Sequence, residues 1–183
     1  MPLKVSVFIA TSLDGYIARE NGDIDWLDDA NANAPEGEDC GFAAFMATVD
    51  RLVMGRKTYE KVLSFGEWPY GSTPVTVMSR RPIEFPERIP KTVTHSSESP
   101  PELCDRLERD GVKHIYVDGG NTIQRFFAAK LVDEITIAFI PILLGSGIPL
   151  FGSQGSDVKL SCLDTKQYKF GAVQIKYRVE HHA

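Results

Sequence analysis

The sequence predicts an α/β fold: a mostly parallel central sheet, helices on both of its faces, and an antiparallel C-terminal hairpin at the edge. Three observations carry this. Strand-like apolar runs alternate with amphipathic helical segments along most of the chain. Residues 159–180, KLSCLDTKQYKFGAVQIKYRVE, alternate on both sides of a polar turn. No repeat, low-complexity tract or linker divides the 183 residues, so residues 1–183 read as a single domain with its own core.

The first strand spans Leu3 to Ala10. Leu3, Val5, Val7 and Ile9 share one face, Lys4 and Ser6 the other, and Phe8 and Ala10 mark the second face as covered too. Residues 28–41, DDANANAPEGEDCG, are polar and acidic with Gly and Pro, and read as a loop. Phe42 to Val49 predicts a helix from the spacing of Phe42, Phe45, Met46 and Val49. RLVMG reads as a short buried strand, KTYEKVLSFG as a helix ended by Gly66, and TPVTVMSRRP as a strand stopped by Pro82. Residues 99–111 form the clearest helix: Ser99 caps, Pro100 suits the first turn, Glu102 completes a capping box and Gly111 closes the end. VKHIYVDGG is a strand leading into a glycine pair. NTIQRFFAAKLVD is an amphipathic helix, and EITIAFIPILL a strand ended by Gly145-Ser146-Gly147.

The net charge of −5 argues against a broad nucleic-acid surface. No apolar run is long enough to span a bilayer, and MPLKVSV begins a strand at once with no signal-peptide pattern. Cys40, Cys104 and Cys162 are scattered and odd in number, which suits a reducing compartment, the cytoplasm. His95, His114, His181 and His182 share no metal-ligand spacing with other donors, so no metal is expected; the terminal pair reads as a frayed tail.

Four loops follow strands: SLDG after residue 10, GRKT at 55–58, SRRP at 79–82 and DGGN at 118–121. In an open α/β sheet all four reach one crevice beyond the carboxyl ends of the strands. DGGN and GRKT each place glycine at a helix start, where free amides favour an anion; the alternative for each is an ordinary turn. Arg56 offers a planar fork to a phosphate and Thr58 a hydroxyl. Ser79, Arg80 and Arg81 stand where a 2′-phosphate is received, or are simply surface residues. LGSGIPLFG fails as a dinucleotide fingerprint because Leu150 takes the third glycine position; a buried turn between strands is the better reading. Three acids are candidates for contact with a substrate. Asp14 is otherwise a turn residue, Asp39 a helix N-terminal acid, and Asp118 a helix cap. Trp26 and Trp68 read as packing residues.

ATSLDGYIA, VDRLVMGRKTYE, VTVMSRRP, IYVDGGNTI and PILLGSGIPLF occur in that order. Together they resemble the dihydrofolate reductase-like superfamily, and most closely its riboflavin-biosynthesis reductase branch and the stand-alone bacterial proteins similar to it. VMGRKTYE is the most specific of the five. The resemblance covers nearly the whole chain. It implies a dihydrofolate reductase-like three-layer fold, NADPH as cofactor, a small-molecule substrate and, by analogy with that branch, a homodimer. It implies that Gly55, Arg56, Lys57 and Thr58 hold the adenosine phosphates, with Ser79, Arg80 and Arg81 on the 2′-phosphate side. It further implies that Gly119, Gly120, Asn121, Thr122 and Ile123 form the pyrophosphate turn, and that Ala10 and Ile17 contact the nicotinamide end. The segment from Ser12 to Gly22 then resembles a mobile loop that shields the reacting carbon. The helix before VMGRKTYE shows no acid on its face, Asp118 precedes the glycine pair, and Ile123 stands where folate reductases often carry an aromatic. The expected function is an NADPH-dependent reductase passing a hydride to a small heterocyclic or carbonyl substrate. The alternatives are a true dihydrofolate reductase and a nucleotide-binding module without turnover.

Overall fold

The structure, a computed structural model, describes residues 2–181; Met1 and His182 of the terminal histidine pair lie outside them. In chain order the elements are β1 (Lys4–Ser12), β2 (Tyr16–Ala18), α1 (Asp25–Ala32), α2 (Phe42–Met46), β3 (Arg51–Gly55), α3 (Arg56–Leu63), β4 (Val75–Met78) and β5 (Val93–Ser96). They continue with α4 (Pro100–Arg109), β6 (His114–Asp118), α5 (Gly120–Ala128), β7 (Glu134–Ile140), β8 (Ile148–Pro149), β9 (Leu160–Gln167) and β10 (Val173–Val179).

Eight strands make one sheet in the order β5-β4-β3-β6-β1-β7-β10-β9. The six strands from β5 to β7 pair in parallel; β10 is antiparallel to β7 and to β9. This is the expected parallel sheet with an antiparallel hairpin at its edge. Its pleat explains the layers. In β3, Val53 points to the face covered by α4 and α5, where Leu103, Leu107, Ile123, Phe126 and Phe127 pack. Leu52 and Met54 point the other way, toward Tyr59 of α3 and Phe42, Phe45 and Met46 of α2. All three β3 residues are fully buried, so neither face of the strand tolerates water. Phe126 is likewise fully buried, and truncating such a ring to alanine costs about 3–5 kcal/mol.

Several boundaries differ from the sequence reading. The stretch 28–41 is not all loop, because α1 runs through Ala32. Its anchor is Trp26, 2% exposed and packed with Ile140, Tyr168 and Ala172. One buried ring holds a helix whose remaining face is polar, so periodicity gave little signal. β1 runs two residues beyond Ala10, since its ladder with β7 continues to Ser12 opposite Ile140. β5 is short and buried only at its two ends, Val93 and Ser96, and no strand was expected there. LGSGIPLFG is not a buried turn: Ile148 and Pro149 form β8, which pairs with β2, and most of residues 141–149 are exposed or half-buried. The segment after β1 is therefore strapped down by β2–β8 pairing and by a bond from Leu150 N to Gly15 O, 3.0 Å. His181 is not frayed from the body; its Nε2 sits 3.5 Å from Asp133 Oδ1.

The topology makes a crevice. β1 pairs with β6 only from Lys4–His114 to Ser6–Tyr116, then continues to Ser12 against β7 alone. The chain steps outward through β3, β4 and β5 and returns as β6 beside β1, so the winding direction reverses there. Ligands of open α/β sheets sit at such reversals, beyond the carboxyl ends of the strands.

Candidate functional site

Two helices start at this edge, each from a glycine. α3 follows Gly55 and α5 follows Gly119, and neither N-terminus has a side-chain capping bond. Their first-turn N–H groups are therefore left for an anion. The two starts interlock. Thr58 of α3 lies over Gly119, where any Cβ would collide with its Oγ1; Thr122 of α5 lies over Gly55, where a Cβ would sit 2.6 Å from its Oγ1. Gly119 also has φ +91, a conformation L side chains rarely adopt. GRKT and DGGN thus meet as one surface, held by the β3–β6 register of Met54 opposite Asp118.

Gly120 extends the surface toward β2. A Cβ there would lie 2.8 Å from Ile17 Cδ1 and 3.2 Å from Ile148 Cγ2, so Ile17 rests on the glycine backbone. Thr122 and Ile123 are buried beneath, while Asn121 is exposed. Ala10 is half-buried on β1, opposite Ala138.

Basic residues rim the other side. Arg56 and Lys57 are exposed at the start of α3, and Arg56 Nε donates to Glu60 Oε1 at 2.8 Å. Ser79 directly follows β4; its N–H donates to Ser96 O, 2.9 Å, and its Oγ accepts from Arg81 N, 3.2 Å. Arg80 and Arg81 are exposed, and among the described residues neither forms an ion pair, nor does Lys57.

The three acids occupy different settings. Asp14 is exposed and fully engaged: it accepts from Ser12 Oγ at 2.6 Å, Leu144 N at 3.1 Å and Gly145 N at 2.8 Å. The Ser12 hydroxyl, with those amides, holds its carboxyl below the usual range. Asp39 accepts from Ala43 N at 2.7 Å and Gly41 N at 2.8 Å, and these bonds lower its pKa as they cap α2. Asp118 stands apart. Its Oδ1 accepts from the adjacent Gly119 N at 2.8 Å, and among the described residues its carboxylate accepts no other hydrogen bond. It retains some exposed area, yet its carboxyl lies deep enough that burial pushes the pKa up to about 6. The same burial, together with the Asp118 charge, raises Tyr116 and Tyr70.

The structure therefore brings Gly55, Arg56, Lys57, Thr58, Ser79, Arg80, Arg81 and Gly119 to Ile123 to one edge, with Ile17 and Asp118 adjoining. Asp14 and Asp39 lie elsewhere in bonding terms, as a loop clamp and a cap. Sequence reasoning missed Tyr116 and Tyr70. Tyr116 was accessible, because residues two apart on a strand share a face. Tyr70 was not, because a loop must fold back to bring it there. A cavity of about 220 Å³ at the far end of α3, lined by Val62, Leu63, Trp68 and Arg88 among others, lies away from this edge. Among the described residues no cluster of metal-ligating side chains is found, and no helix is long and apolar enough to cross a membrane.

Comparison with known proteins fixes the family. Residues 3–173 match the RibD C-terminal domain. The chain belongs to the RibD C-terminal domain family. Relatives of this RibD-type domain include the uncharacterised protein YwjB of Bacillus subtilis, 39% identical over 97% of this chain and 98% of that one. A Shewanella sp. PV-4 protein named for riboflavin biosynthesis superposes with a TM-score of 0.90 at 39% identity, covering 98% of this chain and all of that one. The Thermotoga maritima diaminohydroxyphosphoribosylaminopyrimidine deaminase/5-amino-6-(5-phosphoribosylamino)uracil reductase shares the fold of this RibD C-terminal domain, with a TM-score of 0.74 at 14% identity. This chain, 98% covered, spans 57% of it. The chain is thus a RibD C-terminal domain by family, with a fold it shares with that Thermotoga maritima protein.

Proposed function

We propose that the chain is an NADPH-dependent reductase of a small heterocyclic or carbonyl compound. One observation carries the reading: two uncapped helix N-termini interlock through Thr58 over Gly119 and Thr122 over Gly55, beside Lys57, Arg80 and Arg81, which have no carboxylate partner among the described residues. The residues present fit the cofactor on that ground. The cradle is closed to any Cβ, its amides are free, and its rim is positive. In this reading the first-turn amides of Gly120, Asn121 and Thr122 and the Thr58 hydroxyl hold the diphosphate, assisted by Arg56 and Lys57, while Gly119 and Ile123 shape the turn. Ser79, Arg80 and Arg81 receive the 2′-phosphate. Ala10 and Ile17 flank the nicotinamide end and keep it dry.

When bound, NADPH supplies a hydride. A substrate C=N or C=O carbon would accept that hydride and its heteroatom would take a proton. In this reading Asp118, which among the described residues accepts only the Gly119 N–H and whose pKa burial pushes up to about 6, would orient the substrate and relay that proton. Asp14 and Asp39 act only by fixing the loop and the helix that border the crevice.

The test is direct. Purified protein is mixed with NADPH and with NADH, and each association is measured by calorimetry. Reduced-nicotinamide absorbance is then followed with dihydrofolate and with pyrimidine precursors of riboflavin. Tight NADPH association and turnover on a pyrimidine are expected. Turnover on dihydrofolate alone would make the chain a folate reductase; binding without any turnover would make it a nucleotide-binding module; no association would end the reading.

A further inference from the structure

The turn that follows β4 is gripped by β5. The last two residues of β5 engage both main-chain polar groups of Ser79. Ser96 O accepts from Ser79 N at 2.9 Å, and the His95 ring meets Ser79 O through Nε2 at 2.8 Å. A carbonyl oxygen only accepts, so Nε2 carries the hydrogen and donates it. The end of β5 is itself anchored. Ser96 is 5% exposed, and its Oγ donates to Glu98 Oε2 at 2.7 Å. Arg106 of α4 holds Glu98 through Nε at 2.9 Å and Nη2 at 2.8 Å. The grip on Ser79 therefore stands on α4 rather than on a free loop.

This grip sets a direction. Among the described residues no peptide bond is cis, so the Arg80 N–H points opposite to the Ser79 C=O across their shared peptide plane. With that carbonyl turned to His95 on β5, the amide is turned away from β5. β4 lies between β5 and β3, so the amide is turned to the β3 side. There Gly55, opposite Met78 at the end of β4, opens α3. The amide is unused: among the described residues Arg80 N–H has no acceptor, whereas Arg81 N–H is taken by Ser79 Oγ at 3.2 Å. That bond occupies a lone pair of Ser79 Oγ and leaves the hydroxyl hydrogen to be donated. Two neutral donors on adjacent residues thus stand at the basic rim, and an imidazole orients one of them. The β4–β5 ladder, already closed from Val75–Val93 to Met78–Ser96, does not need the imidazole for its pairing.

Resting on the NADPH reading, we propose that His95 is a positioning residue for the cofactor's 2′-phosphate: by holding the Ser79 carbonyl against β5 it aims the Arg80 main-chain N–H at that anion. Preference for NADPH over NADH then comes from this amide and the Ser79 hydroxyl as well as from the Arg80 and Arg81 guanidinium groups. The long side chains supply charge and lose rotamer freedom on binding; the clamped amide supplies a fixed donor and loses none. Part of the preference accordingly survives the loss of both arginine side chains, because alanine keeps the N–H.

The experiment measures NADPH and NADH association by calorimetry with the full chain, with His95→Ala and with His95→Gln, whose terminal amide donates from nearly the place of Nε2. His95→Ala should weaken NADPH about tenfold and change NADH by less than about twofold, and His95→Gln should restore most of the loss. A bond that merely tied β5 to β4 would move both cofactors alike or neither. Independently of any substitution, the Arg80 amide proton should shift downfield when the unaltered chain is saturated with adenosine 2′-monophosphate, and not with adenosine, as followed by amide NMR. Equal losses for the two cofactors, no loss for either, a Gln variant as impaired as the Ala variant, or an Arg80 amide unmoved by adenosine 2′-monophosphate overturns the inference and leaves the cofactor assignment standing. If the unaltered chain binds no NADPH, the cofactor reading falls and this inference with it.

Discussion

Replacing Asp118 by asparagine should make the protein more stable and less active, and the stability gain should depend on pH. Burial raises the Asp118 pKa from 3.8 to about 6. That difference corresponds to roughly 3 kcal/mol at most, and the residual exposure of the group lowers this to on the order of 1–3 kcal/mol. The folded pKa lies above the unfolded one, so the folded state binds more protons between them. The contribution of this group is therefore favourable at low pH, and it is lost as pH rises from about 4 through about 6. Asparagine removes that loss and keeps the Gly119 N–H bond through its own Oδ1. Urea unfolding of both proteins at about pH 4.5, 5.5, 6.5 and 8 should show little difference at the acid end. The variant's advantage should then grow to on the order of 1–3 kcal/mol by about pH 8. NADPH affinity should be preserved and turnover lost. A difference that does not change with pH, or a variant less stable at pH 8, would refute the claim that Asp118 is a buried, uncompensated carboxylate.

Other consequences are simpler. Gly55→Ala meets Thr122 Oγ1 at 2.6 Å but keeps an ordinary φ of −81, so it should destabilise by about 1–3 kcal/mol and be relieved by Thr122→Ala in a double-mutant cycle. Gly119→Ala, at φ +91, should not be relieved by Thr58→Ala, because the backbone strain remains. The double variant Arg80→Ala/Arg81→Ala should weaken NADPH about 10- to 100-fold and leave NADH unchanged, as read by calorimetry. His114 is buried; its Nδ1–H donates to Thr48 O and its Nε2 meets the Ser6 hydroxyl, each at 2.8 Å. Desolvation lowers its pKa, so its contribution to stability should be present above about pH 6.5 and fall below it. The slope should be missing from His114→Gln in unfolding measured across that range. Asp14→Ala should free the turn at Leu144 and Gly145, seen as faster amide exchange at those two residues with the sheet unaffected.

What the sequence disclosed and what it hid follow from the range of the interactions. The strands VSVFIA, RLVMG and IYVD are apolar on both faces because both faces are covered, and such runs announce a buried parallel sheet. Ser99, Pro100 and Glu102 announce a helix start because capping is a contact within four residues, and the box is present. The glycines at 55, 119 and 120 were legible as ligand approaches. Their partners were not, since Thr58, Thr122 and Ile17 reach them only through tertiary structure. The same limit hid α1, which rests on the single buried Trp26, and β2–β8, which joins residues about 130 apart. Among the acids, the residue pattern favours a turn role for Asp14 and a helix-start role for Asp39 and leaves Asp118 even between cap and substrate contact. Hydrogen-bond accounting widens that difference, because both oxygens of Asp14 and Asp39 are engaged and one oxygen of Asp118 is not among the described residues.

That accounting also explains why fold and chemistry share residues here. Gly55 and Gly119 are where two helices interlock, and a side chain at either would collide with the threonine of the facing helix start. The packing that closes the core on one side thereby leaves open amides on the other. Stability and anion recognition consequently place the same demand on those two positions. Asp118 shows the opposite relation. Its burial opposes folding at neutral pH, among the described residues only the Gly119 N–H offsets it in part, and a hydrophobic or amide residue would pack there at lower cost. A carboxylate that weakens the protein at the mouth of its own crevice is accounted for by a ligand that pairs with it. If substrate binding did not reverse the pH dependence expected for Asp118, that account would fail, however well the cofactor fits.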